Sequence, residues 1–251
     1  MTYSAEVVAV HQQTPDVKQF RLRVDDHEFD HDPGQHVTVQ FTFDGEGTEG
    51  DVEPGEEVVR PYTPTNLPGT GELTLAIKQY QDGLASAYMH QRRVGDEVTL
   101  GEPEGDLHVR EYGNDVAFVS TGTGITPMLA MLRDYLDRGE GHVHFVHGAR
   151  DREHVMFRET LEGLASEHAN LDLTFVLSES EPSWNGRIGH VQDHLGDLFD
   201  AVDDRDHYVC GVPEMVVETR ETLHDLGAPD ERVYAEGWES DAVGEGDGDD
   251  D

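Results

Sequence analysis

The first 111 residues show apolar and polar positions mixed over short spans bounded by turn residues. Segments 7–10, 19–24, 36–43, 72–80 and 97–101 each combine β-branched, aromatic and polar side chains, the pattern of strands. Between them lie Asp32-Pro33-Gly34, Asn66-Leu67-Pro68-Gly69 and Val94-Gly95-Asp96, which supply turns. The pattern predicts an antiparallel β-barrel or sandwich. Segment 44–57 is rich in glycine and acid and reads as a solvated excursion between strands.

Beyond Gly113 the pattern changes. Short apolar runs at 116–120, 142–147, 171–177, 207–210 and 232–235 lack long polar alternation, and amphipathic segments near 126–138, 153–168, 188–195 and 213–226 separate them. Strands alternating with helices predict an α/β doubly wound parallel sheet covered on both faces. The chain therefore divides into an all-β domain over 1–111, an α/β domain over 112–238, and an acidic tail over 239–251 that is expected to be disordered. No internal repeat is visible.

Charge narrows the choice of partners. The 251 residues carry 54 Asp plus Glu against 17 Lys plus Arg, a formal net charge of -37. Nucleic acid and anionic membrane surfaces are disfavoured, because binding phosphate needs clustered cations. No run approaches the roughly 18 apolar residues of a membrane span, and the N-terminus lacks the order of a signal peptide, so a cytoplasmic protein is expected. Lys18 and Lys78 are the only lysines. Acids without lysine suit a salt-rich cytosol, where a Debye length of about 3 Å at 1 M salt screens self-repulsion; an acidic interaction surface or a calcium-loaded protein are the alternatives, although no spaced calcium loop is present. The single Cys210 excludes an intrachain disulfide, a CxxC redox pair and a four-cysteine iron–sulfur cluster carried by this chain.

Candidate chemistry concentrates in a few motifs. Strand 116–120 runs into Thr121-Gly122-Thr123-Gly124-Ile125-Thr126-Pro127, where glycines permit a sharp turn and close approach to a ligand, and Pro127 suits the first turn of a helix whose free N–H groups attract an anion. Tight strand-to-helix turns need glycine in any case. Tyr208-Val209-Cys210-Gly211-Val212-Pro213-Glu214-Met215 repeats the pattern, and two such turns can face one crevice of a doubly wound sheet. Cys210 falls at its lip, or else packs as a small buried hydrophobe. In the β half, Arg60-Pro61-Tyr62-Thr63-Pro64-Thr65 places a permanent cation, a stacking ring and a hydroxyl together; on a regular strand Thr63 faces away from Arg60 and Tyr62 unless the backbone kinks. The histidines show no HExxH or paired-cysteine spacing, so no dedicated metal site is expected, and without a GxSxG elbow acyl transfer has no candidate nucleophile.

Taken together these motifs resemble the ferredoxin–NADP reductase superfamily, its short bacterial-type members in particular, over residues 5–238. The resemblance implies an FAD-binding barrel followed by an NAD(P)-binding domain. By it, Arg60, Pro61, Tyr62 and Thr63 bind flavin, with Arg60 on the pyrophosphate, Tyr62 against the isoalloxazine and Thr63 near N5. Ile77, Lys78 and Tyr80, then Gly83, Leu84, Ala85 and Ser86 at the start of the barrel's helix, complete that site. Gly122, Thr123, Gly124 and Thr126 receive the nicotinamide nucleotide. Cys210, Gly211 and Met215 follow the family's Cys-Gly-Pro-Pro turn, with Val212 in place of one proline, and Glu236 and Trp238 stand where the family has an acid and an aromatic close to the ring. Thr63, Cys210 and Glu236 are thereby the expected catalytic residues. Arg150 and Arg187, with Arg152 a third candidate, resemble cations that read an adenosine 2′-phosphate, favouring NADP over NAD; neighbouring acids argue the other way.

The implied activity is FAD-dependent hydride exchange with NAD(P)H and onward electron transfer to ferredoxin or flavodoxin. The alternatives are a flavin or quinone reductase, an oxygenase reductase component, or a non-enzymatic flavin-binding subunit of a larger complex.

Overall fold

The computed structural model describes residues 1–45, 52–81, 83–179 and 182–237. Trp238, the tail and part of the acidic excursion lie outside the described residues.

Six strands form the first sheet: β1 (Thr2–Thr14), β2 (Val17–Arg23), β3 (Val37–Thr42), β4 (Glu57–Tyr62), β5 (Glu72–Lys78) and β6 (Glu97–Gly101). Helix α1 (Leu84–Gln91) lies between β5 and β6. Every pairing is antiparallel, in the order β4-β3-β6-β1-β2-β5. The register of β1 against β2 shifts between Val7 and Ala9 and again between Gln12 and Thr14, and such irregularities bend a strand. Beyond the end of β4, Pro64 bridges Leu75 of β5 and the Thr65 amide donates to the Thr74 carbonyl at 2.9 Å. The two edges thus meet and the sheet takes a barrel-like form around Val7, Phe20, Leu22, Val39, Leu73 and Leu100, all buried. Strand β4 is not among the strands read from the hydrophobic pattern, because it adjoins the acidic excursion and carries Arg60 and Pro61.

The second sheet contains β7 (Asp115–Thr121), β8 (Val143–Ala149), β9 (Leu171–Leu177), β10 (Arg187–Ile188), β11 (Arg205–Gly211) and β12 (Val233–Gly237), all parallel, in the order β10-β9-β8-β7-β11-β12. Helices α2 (Ile125–Arg138) and α3 (Arg158–Glu167) pack on one face, while α4 (Leu195–Leu198) and α5 (Pro213–Asp225) pack on the other. Two expected helices differ from the pattern. The segment at 153–168 turns first through Phe157, a buried residue at φ +53°, so α3 starts late. The segment at 188–195 is broken by Gly189 at φ +118° into the short strand β10, a 3-10 turn and α4.

The order of connection reverses at β7: the chain moves to β8 on one side, then returns through β11 on the other. Ligands of such sheets bind outside the carboxyl ends of the strands at that reversal. The halves share one apolar cluster, in which Val17 and Ala76 of the barrel and Leu107 and Val109 of the linker join Ile125, Met128 and Met131 of α2. The linker is also fastened by the Arg110 amide, which donates to the hydroxyl of buried Tyr208 at 2.8 Å.

Candidate functional site

Two grooves lie along the seam between the halves. The first, of about 880 Å³, is lined by Arg60, Pro61, Tyr62, Thr63, Ala76, Ile77, Lys78, Tyr80, Gly83, Leu84, Ala85, Ser86, Thr123 and Thr126. Arg60, Pro61, Tyr62 and Thr63 line it together where β4 ends at Tyr62 and Pro64 bridges Leu75. Thr63 itself is buried. At the other end α1 begins at Gly83 with no side-chain cap. Ser86 accepts from the Tyr80 amide at 3.2 Å and donates to the Gly83 carbonyl at 2.9 Å, holding the turn before the helix. An uncapped helix start aims N–H donors and the positive end of the dipole at an anion.

The second groove, of about 930 Å³, opens at the carboxyl ends of β7 and β8. Gly122 (φ +53°) sits in the left-handed region there. Gly124 lies so close to β11 that a Cβ would fall 2.2 Å from the Cys210 carbonyl oxygen, so no larger residue lets α2 start against that strand. The hydroxyl of Thr121 in this groove is buried without a partner among the described residues. A groove with an orphaned hydroxyl, a glycine cradle and a helix start fits a nucleotide phosphate.

Lys78 and Thr123 line both grooves, which therefore share a wall. Lys78 Nζ is 3.5 Å from Asp16 and 5.5 Å from the centre of the Tyr80 ring.

Sequence-derived site residues fall into three groups. Arg60, Pro61, Tyr62, Thr63, Ile77, Lys78, Tyr80, Gly83, Leu84, Ala85, Ser86, Thr123 and Thr126 line the first groove; Lys78, Gly122, Thr123, Arg150 and Met215 line the second. Gly124 and Gly211 provide backbone clearance rather than lining. Arg187 turns elsewhere, its Nη1 lying 3.2 Å from His194 and 3.4 Å from Asp197. Arg152 is exposed and outside the lining. Cys210 lies in the core with no exposed surface rather than at a lip, and Glu236 is its register partner on β12. Across β7 the row continues through Ser120, whose Oγ lies 3.0 Å from Nδ1 of buried His147. Burial pushes His147 down to about 4, so this imidazole is neutral near pH 7.

Arg150 is held at the mouth of the second groove. Its Nε is 3.2 Å from Asp151, its Nη2 lies 2.9 Å from His154 Nε2, and Glu179 is 3.9 Å away. Partial desolvation raises the Asp151 carboxyl, but hydrogen bonds from His154 and Arg150 outweigh it and hold the group below its ordinary value.

Sequence reasoning missed Asp16 and Val17, which the β1–β2 turn carries across to the second groove, and also Met156, Ser178, His190 and Gln192. Ser178 directly follows β9, and the rule that ligands sit at carboxyl ends could have found it. Nothing local marks Asp16. The structure also brings together His142, His144 and Asp172, whose ligand atoms lie within 4.8 Å of one another. The Arg205 guanidinium, which only donates, lies 2.9 Å from His144 Nδ1. That leaves the imidazole proton on Nε2, 3.2 Å from Asp172, an arrangement opposed to metal ligation at that nitrogen.

Among the described residues no helix is long and apolar enough to cross a membrane. Residues 4–109 match the model of the oxidoreductase FAD-binding domain and residues 118–221 that of the oxidoreductase NAD-binding domain. The chain is 32% identical over 249 residues to ferredoxin–NADP reductase B of Sorangium cellulosum, covering 94% of this chain and 98% of that protein. It is 27% identical over 214 residues to the flavohemoprotein of Bacillus subtilis, covering 81% of this chain and 50% of that protein. Among solved structures, the FAD/NAD-binding domain of nitric oxide dioxygenase from Vibrio cholerae superposes with a TM-score of 0.84 at 22% identity, covering 94% of this chain and 98% of that one. A ferredoxin NADP+ reductase from Neisseria gonorrhoeae, with bound FAD and NADP, superposes with a TM-score of 0.79 at 22% identity and the same coverage.

Proposed function

This chain belongs to the ferredoxin–NADP reductase family of FAD- and NAD-binding oxidoreductases, and from that premise we propose that it exchanges electrons between NADP(H) and a soluble ferredoxin or flavodoxin. The observation that carries the reading is the wall shared by the two grooves at Lys78 and Thr123. A flavin in the first groove and a nicotinamide nucleotide in the second would meet there. FAD, when bound, supplies the redox chemistry, exchanging hydride with the nicotinamide and single electrons with the acceptor.

The chain's own part is to bind, align and exclude water. Arg60 and the uncapped start of α1 would hold the FAD pyrophosphate, Tyr62 would offer its ring to one flavin face, and Thr63 would hydrogen-bond the flavin edge. The turn at Gly122 and Gly124 would receive the nucleotide's pyrophosphate. Arg150, in the second groove, supports NADPH over NADH, although Asp151 and Glu179 beside it weaken the preference. The shared apolar cluster beneath the seam keeps bulk water from the meeting point.

Charge frames the acceptor. At -37 the chain would repel an acidic ferredoxin in dilute buffer, so the reading includes a salt-rich cytosol in which screening removes that repulsion. The test is direct. Purified wild-type protein should be yellow or take up FAD, and NADPH should bleach the flavin without air. Arg60→Ala and Tyr62→Ala should weaken FAD retention about tenfold or more, the scale of a lost charge-assisted contact. Turnover with ferredoxin, flavodoxin, free flavin and quinone should then be compared from dilute to molar KCl. The two protein acceptors should lead, with rates rising with salt. A colourless protein that takes up no FAD would overturn the flavin reading, and a rate highest in dilute salt would overturn the acidic acceptor.

A further inference from the structure

One cation on the seam stands apart from the rest. Arg133 of α2 is half-buried and, among the described residues, has no carboxylate partner, in a chain with 54 acidic residues. Its Nη1 donates to the backbone carbonyl of Thr65 at 2.5 Å. Burial alone lowers its pKa, with no charged neighbour contributing, and a guanidinium stays charged regardless. A half-buried charge satisfied by a neutral acceptor bears a desolvation cost that no ion pair offsets. In so acidic a chain a carboxylate partner would be easily supplied, so the pairing with Thr65 calls for its own explanation.

The elements at its two ends provide one. Thr65 lies two residues beyond Thr63, the hydroxyl of the first groove, and is fixed to the barrel by its amide and hydroxyl, both bonded to the Thr74 carbonyl at 2.9 and 3.2 Å. Asn66 beside it accepts from the Thr74 amide at 2.7 Å. The segment that carries Thr63 is therefore rigid on the barrel side. Arg133 is seven residues beyond Thr126, on the same face of α2 and about 10 Å along the axis. That helix opens at the glycine turn of the second groove. One guanidinium therefore ties the helix that presents the nucleotide turn to the loop that presents Thr63. Elsewhere on α2 the turn at Gly34 packs against Leu107 and Met131, so close that a Cβ at Gly34 would fall 3.1 Å from the Met131 sulfur.

We propose that Arg133 is a positioning residue that sets the spacing between the two ring-binding grooves, and so the alignment for hydride exchange, without touching either ligand. It rests on the reading given under Proposed function. A carboxylate at this place would draw the guanidinium away from the Thr65 carbonyl and release the loop from the helix. Hydride transfer is steep in distance, and displacement of reacting groups by about 1 Å costs on the order of a hundredfold. Binding of each ligand depends mainly on its own half.

The test compares full-length Arg133→Met, which keeps the aliphatic stem and removes the donor, with Arg133→Lys, which keeps a charge and a donor. Arg220→Ala removes an exposed cation from α5 and serves as the control. Arg133→Met should retain FAD and bind NADPH within about threefold of wild type. Its flavin bleaching in a single turnover should slow about tenfold or more, with Arg133→Lys intermediate and Arg220→Ala unchanged. In the flavin-free chain, amide exchange across 63–66 and the linker 102–112 should quicken about tenfold in Arg133→Met, the loss of one charge-assisted hydrogen bond across the seam. Bleaching within twofold of wild type, or equal slowing in Arg220→Ala, would overturn the proposal. So would loss of FAD as the first effect, which would make Arg133 part of the flavin site. Wild-type protein that takes up no FAD would overturn the functional reading instead, and amide exchange in the flavin-free chain would still decide whether Arg133 couples the halves.

Discussion

Acid should unfold the α/β half by a route visible in its core. His147 on β8 and His207 on β11 are fully buried, and burial pushes each down to about 4 from an ordinary value near 6.5. His207 has one ring nitrogen 2.9 Å from the Val202 carbonyl, a contact that opposes the shift without cancelling it. Because these bases have folded values below their unfolded ones, the unfolded chain binds more protons between pH 6.5 and pH 4. Stability is therefore full above about pH 6.5 and falls as pH drops toward 4. At pH 5 a histidine with those two values contributes a loss of about 2 kcal/mol, so the pair accounts for about 4 kcal/mol relative to pH 7.5. Folded domains have only about 5–15 kcal/mol in all. His31, His36, His90 and His144 are also lowered, each chiefly by burial, and act in the same direction. Urea unfolding followed by tryptophan fluorescence at constant ionic strength, at pH 7.5, 6 and 5, would measure the slope. The double variant His147→Asn, His207→Gln should lose about 4 kcal/mol less than wild type across that range, whatever its stability at pH 7.5. If the variant does not fold, imidazole NMR titration of wild type gives the same information, since both rings should remain neutral to pH 5. Equal pH slopes in wild type and variant, or ring titration near 6.5, would refute the reasoning.

Two further outcomes follow from the grooves. Gly124→Ala would place its methyl 2.2 Å from the Cys210 carbonyl; the displaced start of α2 should raise the NADPH dissociation constant at least tenfold while FAD content stays at the wild-type level, as equilibrium titration and flavin absorbance would report. Arg150→Ala should raise KM for NADPH about tenfold and leave KM for NADH nearly unchanged, since only the first coenzyme carries the 2′-phosphate; equal effects on both would remove Arg150 from 2′-phosphate recognition.

Much of this molecule was legible in its sequence, because the relevant physics is local. Strand and helix periods differ, so the change of pattern along the chain separates an antiparallel from a parallel architecture. Glycine at positions 122 and 124 followed by Pro127 marks a strand-to-helix turn, the first glycine for its φ of +53° and the second because no Cβ fits against β11. The same holds for 60–63, where cation, ring and hydroxyl stand together in the chain and line one groove. Other features depended on residues far apart. That Thr63 lines the same groove as Tyr62 is decided beyond the end of β4, where Pro64 bridges Leu75 of a strand distant in sequence. Cys210 is buried and Arg187 turned toward Asp197 because of neighbours on other strands and loops. Asp16 reaches the second groove, and Arg133 the Thr65 carbonyl, only once barrel and sheet are docked. The sequence by itself determined which backbone forms and which chemical groups were available. Tertiary structure alone decided which groups share a surface, because burial and long-range contact depend on how the two halves fit together and leave no periodic trace in either.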